Sequence, residues 1–142
     1  MERISLQADM DALEKAREFT VGQAESLDMP FELVSRLELV LEEALVNVVK
    51  HAYSGKQGVV ELTCGQAAGP GGQERFLVEI RDSGPPFDPL AGPTPNLDQD
   101  IEERPIGGLG IHLMRNMTED FTWERQEPQN VLRLAFAPRV KA

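Results

Sequence analysis

The 142-residue chain is poor in cysteine, in aromatic residues and in long apolar runs. Its single Cys64 has no partner for an internal disulfide, so we expect a buried thiol in a fold without cross-links. No apolar stretch approaches the length of a membrane-spanning helix, and the first residues lack the apolar core of a secretion signal. We therefore expect a cytoplasmic protein with no membrane partner.

Basic residues are also scarce, since 14 Lys and Arg stand against 24 Asp and Glu, for a net charge of −10. This balance argues against a nucleic-acid partner, because binding a phosphate backbone requires a basic surface. The hydrophobic fraction of 41% and the length predict one globular domain over residues 1–142.

The hydrophobic pattern predicts the element order β-α-α-β-β, then a long irregular segment, then α-β-β. The predicted strands cover residues 1–8, 59–64, 75–81, 120–125 and 131–137. The first predicted helix is capped by Asp9 or Asp11 and ends at about residue 27, and the other two cover about 31–52 and 109–117. A Gly/Ala/Pro turn at residues 67–72 predicts a hairpin. This order indicates an α/β (α+β) two-layer sandwich with three helices on one face of a mixed, mostly antiparallel sheet.

The second predicted helix carries Glu43, Asn47 and His51 at i, i+4 and i+8, which places them along one stripe. Core-type residues run beside that stripe, so the three polar groups border a buried face. Such groups are costly there unless they are paired or used. The alternative is an ordinary helix edge whose polar residues meet water.

A second candidate segment follows the predicted strand 75–81, where the chain breaks at Asp82-Ser-Gly84. An aspartate at a strand end can accept a hydrogen bond from an exocyclic amino group, such as that of adenine. Gly84 allows close approach of a flat ligand or a positive φ. The alternative is a plain Asp-Ser-Gly turn.

A third segment, Gly107-Gly108-Leu109-Gly110, runs into an apolar helical stretch. Glycines before a helix expose backbone N–H groups and the positive end of the helix dipole, which suits phosphates. Between it and Asp82, residues 83–106 hold six of the ten prolines and no hydrophobic periodicity. A segment of this kind is usually functional or disordered.

In this order the three segments resemble the conserved boxes of the GHKL (Bergerat-fold, histidine-kinase-like) ATPases. Glu43-x3-Asn47-x3-His51 is similar to the N box, Asp82-Ser-Gly84 to the first glycine box, and Gly108-Leu109-Gly110 to the second. The chain length and the run Asp82-Ser-Gly-Pro-Pro-Phe-Asp-Pro89 resemble the anti-sigma factor/serine-protein kinase branch. The segment 83–106 then corresponds to the ATP lid.

The resemblance implies ATP and Mg²⁺ as cofactors and a role for each box. Asn47 would bind the metal, Glu43 would be the general base, and Asp82 would bind the adenine amino group. Close approach of the base is assigned to Gly84, and contacts with the phosphates to Gly108, Leu109 and Gly110. His51 would belong to the cofactor site in a role that the resemblance leaves open.

The implied function is an ATP-dependent serine/threonine protein kinase that also acts as an anti-sigma factor. Its implied partners are a STAS-type antagonist of anti-sigma factors, which it phosphorylates, and a sigma factor; a homodimer is also implied. Pro86 departs from the usual Asp-x-Gly-x-Gly box and supplies no N–H. A nucleotide-responsive binding module without kinase activity is therefore the alternative, which the intact Glu43 disfavours.

Overall fold

The structure is a computed structural model that describes residues 1–52, 58–88 and 115–137, with one sheet and the helices that cover it. The strands are β1 (Glu2–Gln7), β2 (Val59–Ala68), β3 (Glu74–Asp82), β4 (Asp120–Gln126) and β5 (Gln129–Phe136). They lie in the order β1-β2-β3-β5-β4, and every described pairing is antiparallel. The predicted two-layer α/β architecture is confirmed.

Two long helices form the second layer, α1 (Ala12–Ser26) and α2 (Phe31–Asn47). The Asp9 side chain accepts a hydrogen bond from the Ala12 N–H at 2.9 Å, which satisfies a free donor at the start of α1. Residues 115–117 are also helical, and they are the last residues of the predicted third helix. No helix in the described ranges is long and apolar enough to cross a bilayer.

The core lies between α2 and the helix-facing side of the sheet. Along β3 the buried residues alternate with partly exposed ones, and this period of two gives the strand one buried face. On α2 the buried residues recur at helical spacing. The main contributors are Leu37, Val40, Leu41, Leu62, Phe76, Val78, Ile80, Leu134 and Phe136.

The end of α2 differs from the prediction of one regular helix over 31–52. The α-helix ends at Asn47, and Val48–Ala52 form a π-helical turn. A π-helical turn holds more residues than an α-helical one, so it rotates the backbone of His51 away from the i, i+4, i+8 stripe. Such turns occur often at functional sites.

The hairpin between β2 and β3 is confirmed, although β2 continues to Ala68 and shortens the predicted turn. The turn contains a 3₁₀ segment, Pro70–Gly72, in which Gly71 and Gly72 have φ of 81° and 83°. Residues with a side chain rarely adopt such angles, so the glycines permit this reversal. Cys64 lies buried on β2, and burial raises the pKa of its thiol to about 11.

Replacing Leu37 by alanine tests the position of the core. Leu37 is 1% exposed on α2, and its truncation should lower the free energy of unfolding by about 2–5 kcal/mol. Leu39 on the same helix is 45% exposed, so Leu39→Ala should cost less than about 1 kcal/mol. Urea unfolding followed by circular dichroism measures both. Equal losses would contradict the assigned inward face of α2.

Candidate functional site

A cleft opens between the C-terminal end of α2 and the end of the sheet where β3 stops. Its floor is formed by two rows of paired residues that cross the sheet. Ile80, Leu132 and Trp123 form the first row, and Asp82 and Asn130 form the second. Ala44, Asn47, Val48 and Phe87 complete the lining. Apolar walls with a few convergent polar groups are typical of small-molecule sites.

The Asp82 carboxylate is the one charged group in the described lining of the cleft. Its side chain is buried, and Oδ1 accepts hydrogen bonds from the Gly84 N–H at 3.0 Å and from Asn130 Nδ2 at 2.9 Å. Within the described ranges no hydrogen bond ends on Oδ2. The carboxylate thus has one oxygen held by the protein and one that can accept a hydrogen bond from a ligand.

The turn after β3 is an Asx-turn, because the Asp82 side chain binds the N–H two residues on. Gly84 is buried, and its φ is not positive, so the backbone conformation there does not require a glycine. Arg125 donates from Nη1 to the Gly84 carbonyl at 2.8 Å. The pKa of Arg125 is raised, first by its hydrogen bonds to Glu127 and further by the charge of Asp82.

Asn47 is the last residue of α2 and lines the same cleft as Asp82. Its Nδ2 atom is buried and has no hydrogen-bond partner within the described part of the chain. This unused N–H donor lies where α2 changes to the π-helical turn. It is therefore available to donate a hydrogen bond to an incoming ligand. The structure therefore brings Asn47 and Asp82, from separate boxes, into one site.

The other predicted site residues are placed less completely. Glu43 lies one turn before Asn47 and is half-buried, but the described lining of the cleft does not include it. The backbone of His51 belongs to the π-helical turn, and its side chain lies outside what the structure describes. Gly108, Leu109 and Gly110 also lie outside the described residues, as does the lid from residue 89 onward.

Sequence reasoning missed Asn130 and Trp123. The predicted last strand begins at residue 131, whereas β5 begins at Gln129, so Asn130 belongs to the sheet. Its register position is directly opposite Asp82. An available signal was the alternation of Asn130, Leu132, Leu134 and Phe136, which places a polar residue on an apolar face. That alternation names no partner until the pairing of β3 with β5 is known.

The histidine kinase-like ATPase domain family matches residues 6–136, nearly the whole chain and all of the cleft. The chain belongs to this family. The predicted GHKL resemblance is thereby confirmed, and membership implies that ATP is the nucleotide used. The cleft of this ATPase domain contains Asp82 and Asn47.

The relatives of this ATPase domain include protein kinases. The serine/threonine-protein kinase BtrW of Bordetella bronchiseptica is 30% identical over 99 residues, covering 69% of this chain and 66% of that protein. The serine-protein kinase RsbW of Bacillus cereus is 24% identical over 123 residues, covering 83% of this chain and 73% of that protein. The chain thus spans about two thirds to three quarters of these relatives.

A solved structure of the RsbU and RsbW domains of Rv1364c from Mycobacterium tuberculosis has the same fold as this ATPase domain. The TM-score is 0.59 at 11% identity, and the likeness covers 96% of this chain and 32% of that one. At this identity the likeness shows the fold alone. It places the sheet and helices that hold Asp82 and Asn47 in a known arrangement.

Nucleotide entry should change the fluorescence of Trp123, the only tryptophan of the chain. The indole lines the cleft, so a base that enters replaces water against its ring. Titration with Mg²⁺–ATP should give a saturable change in emission, and the Trp123→Phe variant should give none. Binding seen by calorimetry without any change in emission would place the base away from this wall.

Proposed function

We propose that this chain is an ATP-dependent serine/threonine protein kinase and anti-sigma factor that phosphorylates an antagonist of anti-sigma factors. The observation that carries the proposal is the buried Asp82 carboxylate in the cleft of an ATPase domain. One of its oxygens is held by the protein, and apolar residues of the cleft floor lie beside it. An adenine ring has the flat apolar faces and the amino group that such a cleft can bind. The names of the kinases BtrW and RsbW support phosphoryl transfer.

In the proposed site the adenine amino group donates to Asp82, while Gly84 allows the base to approach closely. Asn47 and the second glycine box, Gly108 to Gly110, would contact the phosphates. Glu43 would take the proton from the attacking hydroxyl of a serine or threonine, which is general base catalysis. His51 remains a proposed member of the nucleotide site.

The residues present fit a Mg²⁺ ion bound beside the nucleotide. Mg²⁺ commonly takes one or two protein oxygens and fills its octahedral shell with phosphates and water. Asn47 would hold the ion through its amide oxygen Oδ1, while its Nδ2, which has no protein partner in the described ranges, can donate to a phosphate oxygen. When bound, the ion would neutralise charge on the phosphates, and phosphoryl transfer depends mainly on such neutralisation and on positioning.

The proposed partners are a STAS-type antagonist as substrate and a sigma factor as the protein held inactive. Homodimerisation and a cytoplasmic location are part of the same proposal. A groove between α1 and α2 includes Arg17 in its lining. Arg17 is already paired with Glu14 and Glu38, so it does not identify a partner.

The alternative function is a nucleotide-responsive binding module without phosphoryl transfer. Pro86 favours it, because a proline in the first glycine box has no N–H and a fixed φ, so its backbone cannot do what a glycine would do there. Hydrogen bonds from Arg125 and Asn130 to the carbonyls of Gly84 and Pro85 hold the turn beside Pro86. These hydrogen bonds support nucleotide binding by a kinase and by a binding module alike. The two functions therefore differ only in whether the phosphoryl group is transferred.

The Glu43→Gln substitution separates these two functions. Glutamine keeps the size of the side chain but cannot take a proton, so ATP affinity should be unchanged while transfer falls by about 10²–10⁴-fold. The measurement is label transfer from [γ-³²P]ATP to a purified STAS-type antagonist from the same organism. Glu42→Gln, at the exposed neighbouring position, is the matched control and should transfer normally. Undiminished transfer by Glu43→Gln would remove the base from the mechanism.

The Asn47→Ala substitution tests the proposed metal contact. Loss of the amide should weaken Mg²⁺–ATP binding by at least about tenfold, while binding of ATP in EDTA changes little. Calorimetry with and without Mg²⁺ measures the difference, and thermal unfolding verifies that the variant is folded. Parallel loss with and without metal would assign Asn47 to the fold or to the base instead.

A further inference from the structure

Asn130 is a buried polar residue on β5 whose side chain reaches four groups around the cleft. It is 4% exposed and lies directly opposite Asp82 in the sheet register. Its Nδ2 donates to Asp82 Oδ1 at 2.9 Å and to the Pro85 carbonyl at 2.9 Å. Its Oδ1 accepts from the Phe87 N–H at 3.1 Å and from Trp123 Nε1 at 3.3 Å.

These four contacts use the whole capacity of the amide, which has two N–H donors and two acceptor lone pairs. The orientation of the group follows from its partners. Rotation by 180° would set Oδ1 against the Asp82 carboxylate and the Pro85 carbonyl, and it would set Nδ2 against the two N–H groups of Phe87 and Trp123. Asn130 therefore has one fixed arrangement, and its donor side faces Asp82.

The donor side of Asn130 determines how the Asp82 carboxylate is turned. Together with the Gly84 N–H it fills Oδ1, and within the described ranges Oδ2 keeps its acceptor capacity. A carboxylate held at one oxygen cannot rotate freely. Its two oxygens therefore do not exchange positions, and the same oxygen always faces the ligand. Holding a recognition group in its bound geometry strengthens binding, because less freedom is lost when the ligand arrives.

We propose that Asn130 is a positioning residue for base selection, which holds Asp82 so that its second oxygen receives the amino group of adenine. This rests on the proposed binding of ATP in the cleft. A base with a carbonyl at that position, as in guanine, would set two acceptors against each other. The unpaired carboxylate oxygen would then disfavour that base.

The test compares ATP with purine riboside 5′-triphosphate, which lacks only the 6-amino group. Wild-type protein should bind ATP at least about tenfold more tightly than the analogue, measured by calorimetry with Mg²⁺. Asn130→Ala should weaken ATP by about tenfold and the analogue by less than about twofold, so that the preference for ATP disappears. Equal weakening of both nucleotides would show a structural role only and overturn the proposal.

A double variant separates positioning from general damage to the cleft. In an Asp82→Asn background, adding Asn130→Ala should not change the ratio of the two affinities, since Asn130 acts through the Asp82 carboxylate. A further fall in that ratio would overturn the assigned route.

Thermal unfolding checks each variant, and Asn130→Ser replaces Asn130→Ala if the latter does not fold. The serine hydroxyl is too short to reach both Asp82 and Pro85, so the preference for ATP should again fall. Wild-type measurements alone can also decide. Equal affinity for the two nucleotides overturns the proposal while ATP binding stands, whereas binding of neither nucleotide rejects the proposed function itself.

Discussion

The hydrogen bond between Asp82 on β3 and Asn130 on β5 organises the functional end of this molecule. Both side chains are buried, and a buried carboxylate or amide without partners is strongly unfavourable. Each supplies what the other lacks, because the amide donates and the carboxylate accepts. The turn after β3, the indole of Trp123 and the backbone of Phe87 are then held against this pair.

The pair also explains how the glycine box keeps its shape with prolines in it. Pro85 and Pro86 supply no N–H groups, so the turn has few backbone donors of its own beyond the Gly84 N–H that binds Asp82. The neighbouring hairpin supplies donors instead, from Asn130 to the Pro85 carbonyl and from Arg125 to the Gly84 carbonyl. The described end of β3 is thus held by side chains of β4 and β5.

Stability and specificity come from different parts of the same two layers. Burial of aliphatic residues between α2 and the sheet supplies the main favourable free energy of folding, which is non-directional. The polar groups are concentrated where α2 changes to a π-helical turn and the core gives way to the cleft. Hydrogen bonds there contribute less to stability and more to a single arrangement of the site. This division suits an ATPase domain, whose nucleotide must find its contacts already formed.

The sequence by itself determined the fold class, the order of the elements and the candidate residues Glu43, Asn47 and Asp82, because periodicity and short motifs are local properties of the chain. It also indicated the family, through three boxes in their order. Only the tertiary structure decided that Asn47 and Asp82 share a cleft, that α2 ends in a π-helical turn, and that Asn130 holds Asp82. The physical reason is that Asp82 and Asn130 stand 48 residues apart, and only the register of β3 against β5 brings them together.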